Sequence, residues 1–156
     1  ATRKILDLMG CSDVPVAAST VCGLNPFPVL FRRDSFAVDR LPILNEKGTI
    51  DTPLISEPGQ NFMVRVLQAA PEPVTLIVTG PLTVAQALDI APEIESKIQE
   101  IVWIGGALNV PGNVSKDLEP GQDMSAEWNA YWDPESDRQN LANSNFDWPL
   151  SFRYHQ

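Results

Sequence analysis

Apolar positions fall along this chain in two recurring forms. One is a spacing of three or four residues that suits a helix face; the other is a short unbroken run that suits a buried strand. Residues 2–9 carry Ile5, Leu6, Leu8 and Met9 at roughly helical spacing, and Gly10 is placed to stop that helix. Asp13-Val14-Pro15-Val16-Ala17 then reads as a short buried strand. Residues 61–70 predict a helix with Phe62, Val66 and Ala69 on one face, closed by Pro71 and Pro73. Val74-Thr75-Leu76-Ile77-Val78 is a continuous apolar run of the kind expected of a parallel strand buried on both faces. Thr79-Gly80-Pro81 turns the chain, residues 82–90 predict another helix, and Pro92 starts a short one carrying Ile94 and Ile98. Ile101-Val102-Trp103-Ile104 predicts a second buried strand that leaves through Gly105-Gly106.

This alternation implies an α/β fold with a parallel sheet and right-handed crossovers. A strand is expected before the first helix, so the sheet is read as incomplete and Rossmann-like, with an edge and an apolar face needing cover. Residues 18–60 are punctuated by Pro26, Pro28, Pro42, Pro53 and Pro58 and predict a long irregular arm. Within it, Phe31-Arg32-Arg33-Asp34-Ser35-Phe36 reads as a loop clasp with an internal Arg–Asp pair, or as an interface patch. A further helix is expected from Pro134, capped by Asp133. The division that follows is an α/β domain over 1–143, including the arm at 18–60, and a separate tail over 144–156.

At 156 residues the chain is long enough for one domain with a real core. Twenty acidic against 11 basic residues give a net charge of −9, which argues against a nucleic-acid backbone or an anionic lipid surface as partner. A cation or a neutral metabolite remains compatible. No apolar run approaches the length of a membrane span. Cys11 and Cys22, separated by ten residues, match no zinc spacing; two free thiols are expected, with one disulfide as the alternative. Residue 1 is alanine, which suggests removal or absence of an upstream segment and leaves an organellar or processed product open.

Ligands of parallel α/β sheets bind beyond the carboxyl ends of the strands, which points to the exits at Thr79-Gly80 and Gly105-Gly106. Just past the second lie Asn109, Asn113, Glu127 and Asn129. Amides both donate to and accept from sugar hydroxyls, and a carboxylate takes a hydroxyl proton in a charge-assisted bond. The ordinary duty of Asn and Gly in such a loop is to make turns. For Thr79 it is a turn or helix cap, and for Glu127 and Asn129 it is polarity beside a helix start.

Taken in order, Val78-Thr79-Gly80-Pro81-Leu82-Thr83, Ile101–Gly106, Pro111-Gly112-Asn113-Val114, Ala126-Glu127-Trp128-Asn129 and Asp133-Pro134-Glu135 resemble the central portion of the inosine–uridine nucleoside hydrolases. The resemblance runs from about residue 1 to about 143 and is densest over 74–135. It implies the nucleoside hydrolase type of α/β fold and hydrolysis of the N-glycosidic bond of a ribonucleoside, with Ca²⁺ as the family's metal. Thr79 would offer that ion its backbone carbonyl, and Asn113, Glu127 and Asn129 would hold ribose hydroxyls.

The sequence also departs from the family. Its N-terminal aspartate cluster, which supplies most of the metal's carboxylates and the base, does not occur here, nor does its C-terminal His-Asp pair. His155 is the sole histidine and reads as a terminal surface residue. Leu82-Thr83-Val84 stands where the family has Leu-Thr-Asn, and Lys116-Asp117-Leu118-Glu119-Pro120 widens the gap between Asn113 and Glu127. The expectation is a nucleoside hydrolase-like chain that is inactive alone and does not bind Ca²⁺ alone. The alternative is a non-catalytic accessory subunit that uses this fold beneath a protein partner.

Overall fold

A computed structural model of the chain describes residues 1–25, 27–80, 82–107, 109–134 and 136. Helix α1, Thr2–Leu8, ends as its sequence predicts. Gly10 takes the left-handed conformation at φ +73°, its amide donates to Asp7 and that of Cys11 donates to Leu6. This double closure satisfies two of the last carbonyls, and a side chain on residue 10 would oppose it. The following strand is shorter than predicted: β1 is Val16–Ala17, paired in parallel with β2, Leu54–Ile55.

The expected irregular arm is only partly irregular. It holds an 11-residue helix, α2 (Val29–Asp39), a 3₁₀ turn at Pro42–Leu44, and β2 itself. The 31–36 stretch is therefore helix rather than loop, and the Arg32 guanidinium donates to the Phe27 carbonyl instead of pairing with Asp34. No residue of α2 is buried, so no apolar stripe marked it in the sequence.

The arm's far end is tied to α1 through Asp7. Its carboxylate accepts from the amides of Asp51 and Thr52 and from the Thr52 hydroxyl, which is fully buried. The Thr52 hydroxyl, ahead of the two backbone amides, holds Asp7 down at about 2 from its ordinary 3.8. A lowered folded-state value means stability that is present above the ordinary carboxylate range and is lost as the pH falls through the folded value. Between pH 3.8 and about 2 the native chain should lose melting temperature faster than an Asp7→Asn variant. Parallel slopes for the two in a thermal-melt series would remove Asp7 from the acid sensitivity.

Helix α3, Gly59–Ala69, packs with α4, Leu82–Ile90, over the parallel pair β3, Val74–Val78, and β4, Ile98–Trp103. Their shared core is Val64, Leu67, Ala87, Ala91, Ile94 and Ile98. The face α3 turns inward is not the predicted one. Gln60, Val64 and Leu67 are buried, whereas Val66 is exposed and Phe62 is half-buried beneath the Arg65 guanidinium, 5.0 Å from its ring centre. Gln60 is drawn in by its hydrogen bonds with Thr20. Ile98 opens β4 rather than continuing the 3₁₀ helix Pro92–Lys97.

Strand β3 also differs from expectation. Its burial alternates, with Val78 inward and Ile77 76% exposed, so one face is packed and the other is open. The two pairs β1–β2 and β3–β4 form separate two-stranded parallel sheets. An apolar strand run reads as buried on both faces only where both faces have a neighbour. Cys11 and Cys22 are both free thiols. Among the described residues no helix is long and apolar enough to cross a membrane. The 144–156 tail and its His155 lie outside the described residues.

Candidate functional site

The two predicted strand exits lie side by side. Beyond the last ladder pair, Val78 with Trp103, the Ile104 amide still donates to the Val78 carbonyl at 2.9 Å. Thr79 follows directly and is exposed at the carboxyl end of β3. From Gly105-Gly106 the chain runs out and returns through a tight pairing of two short stretches. Gly112 donates to Met124 at 2.6 Å, and Asn113 and Val114 both donate to the Ala126 carbonyl at 2.8 and 3.1 Å. Val114 is fully buried beneath this turn, which leaves Asn113 exposed above it.

Ala126 leads into Glu127 and the short helix α5, Trp128–Trp132. Glu127 caps it: one carboxylate oxygen, Oε2, accepts from the amides of Asn129 at 2.9 Å and Ala130 at 3.2 Å, and also from the Gly106 amide at 3.0 Å. The same side chain thus ends the β4 exit and starts the helix. Asn129 donates from Nδ2 to the Ile104 carbonyl at 2.7 Å, and Asn113 accepts the Trp128 amide on Oδ1 at 2.8 Å. The structure therefore gathers Asn113, Glu127 and Asn129 around one strand exit and places Thr79 on its neighbour. Their structural duties are real and do not use up their chemistry. Each of the three side chains has a second polar atom outside these contacts, giving an amide–carboxylate–amide set suited to neighbouring hydroxyls.

Sequence reasoning missed two supports of this site. The first is an aromatic cluster behind α5: Phe27 lies 4.4 Å from Trp132 and stacks on Trp128 at 6.0 Å, while Phe31 and Tyr131 meet Trp128 edge-on. The four-residue spacing of Phe27 with Phe31 and of Trp128 with Trp132 was the available signal. The second is Asn25, which reaches the carbonyl end of α5. The predicted Asp133 cap is present in outline, since Asp133 accepts from the Ser136 hydroxyl and amide. The helix expected beyond it falls largely outside the described residues.

The donor set here does not fit the metal that the resemblance implies. Ca²⁺ takes about six to eight oxygen ligands. Thr79 offers one backbone carbonyl, and among the described residues no three His, Cys, Asp or Glu side chains come together.

Fold and site together define a parallel α/β protein of the nucleoside hydrolase type, with the polar side chains of Asn113, Glu127 and Asn129 near its strand exits. The family described as inosine-uridine preferring nucleoside hydrolase matches residues 1–150, and the chain belongs to that family. The match reaches into the stretch after 143 that the motifs left apart. The chain is 34% identical over 142 residues to the pyrimidine-specific ribonucleoside hydrolase RihA of Citrobacter koseri, covering 85% of this chain and 39% of that protein. The inosine-uridine preferring nucleoside hydrolase of Bacillus anthracis aligns at 41% identity with a TM-score of 0.82, over 96% of this chain and 47% of that one. The purine-preferring ribonucleoside hydrolase of Gardnerella vaginalis aligns at 25% identity with a TM-score of 0.56, over 90% of this chain and 43% of that one. The chain thus spans less than half the length of the relatives it matches.

Proposed function

We propose that these residues form the ribose-holding part of a nucleoside hydrolase site: Asn113, Glu127 and Asn129 bind the sugar hydroxyls of a ribonucleoside. On this reading the 156 residues by themselves neither retain Ca²⁺ nor cleave the N-glycosidic bond. The observation that carries the proposal is that Glu127 and Asn129 bond to the β4 exit at Gly106 and Ile104, while Asn113 bonds to the Trp128 amide beside them at the start of α5. Support for the substrate class comes from the relatives, whose names specify pyrimidine ribonucleosides, inosine and uridine. The inactivity reading rests on chemistry. Water attack needs a base beside it and a stabilised leaving group. Of Asn113, Glu127, Asn129 and Thr79 only Glu127 is a base, its Oε2 is held by three backbone amides, and none of the four is an acid for the leaving group.

Titrating the 156-residue chain with uridine in Ca²⁺, while following release of uracil, tests both parts. Binding without base release is expected, and Asn129→Ala should weaken binding about five- to tenfold, as for loss of one hydrogen-bonding group. Release above the protein-free rate would remove the inactivity claim, and unchanged affinity in the variant would remove the ribose assignment.

One observation favours a second reading, that of an accessory subunit beneath a protein partner. The outer face of β3–β4 exposes Ile77 and Ile104, and α2 exposes Val29, Leu30 and Phe36. A monodisperse chain that does not bind a hydrophobic dye would leave that reading without its motive.

A further inference from the structure

Helix α5 has five residues, too few to hold its shape in water without outside contacts. Glu127 secures its first turn. Its last carbonyls, orphaned by the helix geometry, are taken by a residue more than a hundred positions away in the chain. The Asn25 amide donates to Trp132 at 3.0 Å, and Asn25 Nδ2 donates to Tyr131 at 2.6 Å. Around this clamp the backbone is in close contact. A Cβ on Gly23 would collide with Cδ1 and Nε1 of the Trp132 indole, and Phe27 packs on both tryptophans. Between its two clamped ends α5 has little room to turn or slide. Glu127 and Asn129 lie at the end opposite Asn25, so a rotation admitted there is felt at their side chains.

We propose that Asn25 is a positioning residue: by holding the carbonyl end of α5 it sets where Glu127 and Asn129 meet the ribose hydroxyls. This rests on the ribose assignment above. Only a side chain that donates serves here, because its partner, the Tyr131 carbonyl, accepts, as does the neighbouring Trp132 carbonyl that the Asn25 backbone amide reaches. Aspartate has the same shape, cannot donate when ionised, and sets a negative charge against them.

The test compares uridine with 2′-deoxyuridine by calorimetric titration of the full chain, well below its melting temperature. A site built to bond a hydroxyl discriminates against the analogue lacking it, so the native chain should favour uridine. Asn25→Asp should shrink that preference roughly five- to tenfold, the effect of one mispaired hydrogen-bonding group. Asn25→Ala, which removes the side-chain donor without adding charge, should shrink it as well, and carries the test if the aspartate variant does not fold. A variant that merely loosened the fold would lower the melting temperature and leave the ratio of the two affinities in place. Full preference in folded Asn25→Ala overturns the positioning role and leaves the ribose assignment standing. Absence of preference in the native chain overturns both.

Discussion

Replacing Gly112 with alanine is expected to abolish nucleoside binding and to destabilise the chain at the same time. A Cβ at that position would collide with the carbonyl oxygen and carbon of Ala126. The obstacle is backbone, so no side-chain rotation relieves it. That carbonyl is the acceptor for both Asn113 and Val114, and Gly112 itself donates to Met124, so separating the two stretches breaks the pairing at all three points. Overpacking of this kind costs roughly 1–3 kcal/mol, occasionally more. The functional effect should exceed the stability effect. Asn113 would lose its place above Val114, and the Trp128 amide would lose the acceptor that fixes the helix start. A thermal melt together with a uridine titration checks it: a variant with native melting temperature and native affinity contradicts this geometry.

The second large effect is structural. Ile94 is 1% exposed in the 3₁₀ helix that joins α4 to β4, and it belongs to the core shared by α3, α4 and that strand. Truncation to alanine is expected to cost about 2–5 kcal/mol, because the lost transfer free energy is joined by a cavity that the surroundings fill only in part. At about 2–4 °C per kcal/mol for a chain of this size, the melting temperature should fall by roughly 4–20 °C. Ile90→Ala is the contrast: Ile90 is 50% exposed at the end of α4 and should change little. Equal melting shifts for the two variants would deny that the core lies where it is placed here.

The parts of the fold that were legible in the sequence are those where one local signal governs. The run 74–78 and the helix 82–90 are each bounded by Pro or Gly, and both match the structure to the residue. Gly10 announced its helix end because a left-handed residue there has few chemical alternatives. Helix α2 is hidden because Phe31 alone of its apolar side chains is half-buried and none is fully buried, and hydrophobic periodicity is the signal of a buried face. The inward face of α3 is not legible because Gln60 is drawn inward by Thr20, a partner 40 residues away, while Val66 is left out. The exposure of Ile77 is not legible because the sequence does not show whether a neighbour covers the outer face of β3.

The candidate site divides in the same way. Asn113, Glu127 and Asn129 are singled out by their order along the chain, and in the structure Asn113 and Glu127 both bond to backbone amides of the first turn of α5, where Asn129 sits. Their structural duties were invisible. Glutamate is not among the favoured helix-capping residues, so Glu127 did not look like a cap. Asn25 sits beside a Pro-rich turn, where the ordinary reading of asparagine is a local one. Its contact with Tyr131 spans 106 positions, and no local pattern encodes that.

The central claim is that the three polar side chains at the β4 exit receive a ribonucleoside. The most direct measurement is a uridine titration of the ¹⁵N-labelled chain followed by NMR, with the side-chain amides of Asn113 and Asn129 and the backbone amide of Gly106 as reporters. Progressive, saturable shifts of all three are the predicted result, with amides of the open β3 face near Ile77 unmoved. Reporters that stay still while resonances around Ile77 move, or that stay still throughout, would contradict the account.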